Sequence, residues 1–406
     1  MTTRSLLPVL AAAVFLTATP ATACPFCSPT GTTLTGEVAQ ADFILFGTLS
    51  NPTRDPNDPN ALNKGSTELA IDLVIKPHAL VKDKKSITIP RYVPPDGKNA
   101  KYLVFFNIFN GQLDPYRGEA VPADSKLPEY LKGAMDVKQK DVATRLRYFF
   151  DYLEDSDIVV SSDAYSEFGY AEYKEVREVA AKLPAAALLK WLKDPNTRGS
   201  RFGLYGLLLG HCGKPEDAKA IRSLLDDKER SYTSGLDGVV AGYVMLDPKA
   251  GWEYLTGVIK DRTKDFPVKY AALKTVRFFW EFRPDVIPQA DSLAALKLLV
   301  DDADIADMPI EDLRKWKQWD QTPFVLGYAA KDSHSGTPII ARSILKFAIA
   351  ASWADPKNTA AADYVKAARE KDPKRVQFLE EVLKDEQRPP SPPAGSEKKD
   401  APKPGG

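Results

Sequence analysis

Between residues 43 and 121 the apolar positions alternate or run unbroken over strand lengths, and from about Asp141 they recur every three to four residues as far as Asp385. The first regime predicts strands. Residues 43–49 form a continuous apolar run, closed by the turn-rich stretch 51–65. Residues 69–75 and 86–89 alternate, and Pro90 ends the second of them. Residues 102–109 are aromatic and β-branched and meet Asn110-Gly111, a favoured hairpin dipeptide. Four strands and a further short segment suit a small antiparallel barrel or sandwich.

The second regime predicts helices in pairs. Phe202, Tyr205, Leu208 and Leu209 share a face that Gly210 to Pro215 interrupts, and Ala218, Ile221, Leu224 and Leu225 form the next. Similar couplets start near Gly235 and Pro267, broken at Asp247-Pro248 and Arg283-Pro284. Their starts are 34 and 32 residues apart, the period of helical-hairpin solenoids. Further helices are predicted over 310–319, 338–351, 360–370 and 374–385.

Composition changes this picture at the two ends. Arg4, the apolar run 6–16 and Ala21-Thr22-Ala23 make the three parts of a secretory signal over residues 1–23. The expected location is therefore secreted or periplasmic, with the mature chain starting at Cys24. A cysteine in that place is also a candidate for lipidation, the one route to a membrane that the sequence offers. The last segment, 387–406, holds six prolines and cannot bury a core. Across all 406 residues, 55 Lys and Arg balance 55 Asp and Glu, which argues against a nucleic-acid partner.

Cys24-Pro25-Phe26-Cys27, followed by Ala41-Asp42-Phe43-Ile44-Leu45-Phe46-Gly47, resembles the start of netrin-like domains, the family that includes the tissue inhibitors of metalloproteinases. Lys101-Tyr102-Leu103-Val104-Phe105-Phe106 resembles a later strand of the same family. The resemblance implies an OB-type barrel and covers roughly residues 24–121. Two features depart from it: the family begins C-x-C where this chain has C-x-x-C, and the strand region holds no further cysteine to tie down Cys24 or Cys27. The remainder looks like the HEAT-like repeats of secreted bacterial proteins. The fold expectation is therefore α+β: an OB-like antiparallel β-barrel over 24–135, then a HEAT-like α-helical solenoid over 136–386.

Four sets of residues are candidates for chemistry. Cys24 and Cys27 suit a local structural disulfide that holds the chain end against the barrel. The alternatives for the pair are a redox motif, metal thiolates, or lipidation of Cys24. Cys212, beside His211, is the leftover thiol. Asp163 and Glu167 lie four apart on one predicted helix face, where they suit an acid/base pair, a divalent cation, or the capping and solvation of a helix start. Trp316 and Trp319 lie three apart and suit a carbohydrate or partner surface, or packing between helices. Three histidines leave little for a hydrolytic triad, and no nucleotide or metalloprotease motif is present. The expectation is a non-catalytic binding or scaffolding protein with a protein partner, no cofactor and no metal. A thiol redox protein using Cys24 and Cys27, and a metalloproteinase inhibitor acting through the Cys24 amine and carbonyl, are the alternatives.

Overall fold

A computed structural model describes residues 24–27, 31–55, 64–94, 101–122, 124–227 and 234–388. The expected signal sequence over 1–23 and the tail beyond residue 388 lie outside the described residues. The fold is α+β, with a five-stranded antiparallel sheet followed by helices.

A short helix α1 (Leu34–Gln40) leads into β1 (Phe43–Arg54), β2 (Gly65–Lys76), β3 (Ser86–Ile89), β4 (Lys101–Phe109) and β5 (Gln112–Val121). The strand order is β3-β2-β1-β4-β5. The continuous apolar run of β1 has a direct cause, because the central strands are buried on both faces. Phe43, Leu45, Val104 and Phe106 join one core with Leu69, Ile87 and Ile89, while Ile44, Leu103 and Phe105 are equally buried. Gly47 is required where β1 shifts register against β2, since a Cβ there would lie 1.9 Å from the Ala70 carbonyl oxygen. Asp42 accepts a hydrogen bond from the Ile108 amide at 2.7 Å and pins β4 to the start of β1. Asn110 and Gly111 take φ of 50° and 74°, the two left-handed positions of a tight hairpin between β4 and β5.

The sheet is open, which corrects the closed barrel. Closure would need a ladder between the edge strands β3 and β5, and none forms among the described residues. The reason is length and shape: β3 has four residues and stops at Pro90, while β5 carries Pro115 and a bulge.

Helices follow from α2 (Leu127–Val137), earlier than the change of period at Asp141 indicated. Then come α3 (Val142–Phe150), α4 (Ile158–Tyr170), α5 (Tyr173–Ala180), α6 (Ala185–Lys193), α7 (Phe202–Cys212), α8 (Asp217–Asp226) and α9 (Leu236–Leu246). The compact unit that begins with the sheet runs to Leu246, so the sheet and these helices share it, and the boundary expected at residue 135 falls within it. Its tightest helix contact is α7 on α9. Gly203, Gly206, Gly238 and Gly242 let the two backbones approach so closely that a Cβ on Gly206 would lie 2.5 Å from the Val239 Cα.

The second unit begins at Asp247. It comprises α10 (Pro248–Lys260), α11 (Phe266–Phe282), α12 (Gln289–Val300), α13 (Asp307–Lys315), α14 (Thr322–Gly327), α15 (Asp332–Ser335), α16 (Pro338–Ala354), α17 (Thr359–Lys371) and α18 (Pro373–Glu386). Asp247, Asp265 and Asp372 cap α10, α11 and α18, each with proline in the first helical turn. The punctuation that marked these breaks in the sequence is thus capping chemistry.

Candidate functional site

The cysteines come first in the chain. Cys24 and Cys27 form a disulfide, with Cα atoms 5.4 Å apart. The small loop docks on a helix, correcting the expectation that it holds the chain end against a barrel. Cys24 and Phe26 are buried, and the Phe26 carbonyl oxygen lies over Gly203 of α7, 2.9 Å from where a Cβ would project. Glycine at 203 is what lets the loop sit there. Cys212, at the end of the same helix, is a free thiol that donates to the Leu208 carbonyl at 3.3 Å. Burial pushes its pKa up to about 11.

Asp163 is not at a helix start. Asp157 caps α4, which places Asp163 in the helix interior and turns it into the protein. There its carboxylate accepts from the Leu34 amide at 2.5 Å and the Thr35 amide at 3.3 Å. It also accepts from the Thr35 hydroxyl and the Tyr130 hydroxyl, each at 2.8 Å. One carboxylate therefore joins α4, α2 and the first turn of α1, across 129 residues of sequence. Two of its donors are backbone amides that the short helix α1 leaves unpaired. Glu167, one turn further on, is half-buried beside Thr33. Burial and then the Asp163 charge raise its pKa, against a hydrogen bond with Thr33 that lowers it. Both carboxylates thus face the protein, which replaces the solvated helix start expected for them.

Trp316 and Trp319 do not share a helix face, which corrects the expected aromatic pair. α13 ends at Lys315, and Lys317 adopts φ of 56°. The Lys317 amide then bonds to the Arg314 carbonyl and the Gln318 amide to the Leu313 carbonyl, the paired bonds of a left-handed helix stop. Beyond that turn the indoles separate. Trp316 stacks on Trp280, centroids 4.1 Å apart and planes 9° from parallel, while Trp319 packs its ring against Phe347 at 5.6 Å.

The surface feature that the sequence did not reveal lies on the second unit. α16, α17 and α18 enclose a cleft of about 220 Å³ floored by Ala341, Leu345, Ala368 and Val376, with Tyr364 on its wall. On the same helices Ile339 and Phe378 are 57% and 55% exposed, large for apolar side chains, and the Arg342 guanidinium lies 5.9 Å from the Phe378 ring. Lys371 and Arg375 line the cleft and make no ion pair among the described residues. Asp372 between them is committed to the Arg375 amide as the cap of α18.

Among the described residues no three His, Cys, Asp or Glu side chains gather to hold a metal ion, and no helix is long and apolar enough to cross a membrane. Compared with known proteins, the chain matches no family model, no curated protein and no solved structure.

Proposed function

We propose that this is a secreted or periplasmic binding protein that acts without catalysis, through protein–protein contact on the α16–α18 face. The cleft, together with the exposed Ile339 and Phe378 on the same helices, carries the reading. Its floor is apolar and its free charges, Lys371 and Arg375, are both positive, so the partner that fits is an acidic amphipathic segment. We read the helices as HEAT-like, an architecture suited to extended binding surfaces. The sheet, on the same reading, is an opened relative of the OB-like barrel, lacking one β3–β5 ladder.

The other candidates support this reading by what they are engaged in. Cys24 is buried and bonded to Cys27, which disfavours both thiol exchange and chelation of a partner's zinc by its backbone. Asp163 is engaged by four protein donors, and each tryptophan has an aromatic partner within its own unit.

The test is binding of synthetic acidic amphipathic helices to the purified protein, with fluorescence anisotropy as the readout. Phe378→Asp, and separately Lys371→Glu with Arg375→Glu, should each weaken binding at least about tenfold without shifting the melting temperature. Equal binding of basic and acidic peptides, or binding indifferent to both sets of substitutions, would remove the α16–α18 face from the proposal.

A further inference from the structure

A second cleft, of about 420 Å³, opens in the first unit where α1 passes β4 and β5. Its walls are Thr32 just before α1, Glu37 and Gln40 on α1, Asn107 on β4, and Tyr116 and Arg117 on β5. Two consecutive strand residues normally point to opposite faces of a sheet. Here the ladder pairs Phe106 with Pro115 and Phe105 with Arg117, leaving Tyr116 as the extra residue of a bulge. The bulge is what brings Tyr116 and Arg117 to one cleft, a recurrent use of such irregularities.

The charges in this cleft are already matched. Arg117 donates to Glu37 through Nη1, and to Glu119 through Nε at 3.1 Å and Nη2 at 2.9 Å. Its guanidinium also lies over the Phe105 ring, 5.4 Å from the centroid. An anionic ligand would meet two carboxylates around one guanidinium, and a cation would have to compete with Arg117. What remains uncommitted is neutral. The Tyr116 hydroxyl, the Asn107 and Gln40 amides and the Thr32 hydroxyl make no side-chain hydrogen bond to protein among the described residues. Burial first, then Glu37, raises the Tyr116 pKa, so the phenol keeps its proton.

We infer that this cleft is a binding site for a neutral carbohydrate. Planar amides and hydroxyls can give and take hydrogen bonds with adjacent sugar hydroxyls at once. The Tyr116 hydroxyl adds a group that both donates and accepts, while its ring packs beside Phe105, centroids 6.1 Å apart. The volume falls within the range of about 300–1,000 Å³ that small-molecule sites occupy, but the lining is polar where such sites are usually apolar. This site belongs to the first unit, and its assignment does not depend on the reading of the α16–α18 face.

The purified protein should be screened on an array of neutral and acidic saccharides, and each hit titrated by calorimetry. Neutral saccharides should bind with Kd on the order of 0.1–1 mM, as expected for a shallow polar site with few contacts. Asn107→Ala and Tyr116→Ala should each weaken binding at least about tenfold, and Tyr116→Phe less. The melting temperature should stay unchanged for Asn107→Ala and Tyr116→Phe, whose lost groups make no side-chain hydrogen bond to protein among the described residues, while Tyr116→Ala also gives up the ring packed beside Phe105. Binding should be the same at low and high salt, since no net charge is exchanged. An array without neutral hits overturns the inference. So does binding that survives both alanine substitutions, or binding confined to acidic saccharides and lost in salt.

Discussion

Replacing Asp163 by alanine should destabilise the first unit more than any other single carboxylate change discussed here. The substitution removes an acceptor for four hydrogen bonds and leaves two donors in a dry place. Tyr130 is fully buried and Leu34 is 8% exposed, so neither the phenol nor the Leu34 amide regains a full water partner. Each stranded donor costs about 1–3 kcal/mol. The Thr35 groups lie nearer the surface and can turn to solvent. The sum is about 3–5 kcal/mol, the range seen when one side of a buried charged interaction is deleted. At about 2–4 °C per kcal/mol for a unit of this size, the first calorimetric transition should fall by roughly 6–20 °C. Asp163→Asn should be milder, about 1–2 kcal/mol. Its oxygen can still receive the Leu34 amide, while its NH2 faces two hydroxyls that can rotate to accept and the Thr35 amide, whose long bond is lost. Amide exchange at Leu34 and Thr35 should quicken in both variants, because α1 loses its anchor. A melting point for Asp163→Ala within about 2–4 °C of the parent, or an asparagine variant as damaged as the alanine one, would refute the anchoring role.

Glu167→Gln should behave in the opposite sense. Its raised pKa means that the folded state holds the proton more tightly than the unfolded chain, whose value is near 4.5, so stability falls as pH rises from there through the folded value. The variant should equal the parent at acid pH and melt higher at pH 7; a lower melting point at pH 7 would contradict this. Cys212, with its pKa near 11, should be about 0.1% thiolate at pH 8, and its alkylation rate should rise about tenfold per pH unit toward pH 10; a rate already level at pH 8 would show an activated thiol. Gly206→Ala should cost about 3 kcal/mol by forcing α7 from α9, whereas Gly257→Ala, in open space on α10, should stabilise by about 0.5–1 kcal/mol; melts of the pair decide it. Serine at both Cys24 and Cys27 should cost about 2 kcal/mol or less, since so short a ring removes little chain entropy, and Phe26→Ala about 3 kcal/mol or more because Phe26 is the buried contact; urea titration should reverse that order only if the disulfide is the true anchor.

Much of the fold was legible because the hydrophobic period reports burial directly. The run 43–49 read as a strand, Asn110-Gly111 as a hairpin, and Asp247-Pro248 as a helix boundary, and each carries that role. What the pattern could not supply is whether edges meet. Alternation in Ser86–Ile89 identifies a strand, but closing a barrel also needs length and a partner register, and four residues before a proline offer neither. Nor could it show that a helix, α1, precedes the sheet. α1 has seven residues, too short for a 3.6-residue period to stand out, and it is anchored from α4 through Asp163 rather than by its own sequence.

The sites were less legible, for a reason that the individual residues make plain. Spacing along the chain identifies side chains that share a face only while the element continues. Trp316 and Trp319 satisfied the helical spacing, yet the helix had ended one residue before the first of them, in a turn through the left-handed Lys317 that no propensity marks. The reverse occurs at Tyr116 and Arg117. Adjacent strand residues should diverge, and the bulge that makes them converge arises from the pairing of β5 with β4, a relation that no local pattern contains. Asp163 and Glu167 did share a face as spaced, but which face was decided by Tyr130, 33 residues before Asp163, and by the unpaired amides of α1, 129 and 128 residues before it. Helix-face arithmetic therefore finds candidate pairs, and tertiary partners decide whether a pair is free to meet a ligand. By that criterion the uncommitted amides and hydroxyls around Tyr116 are better placed to bind than the carboxylates that first drew attention.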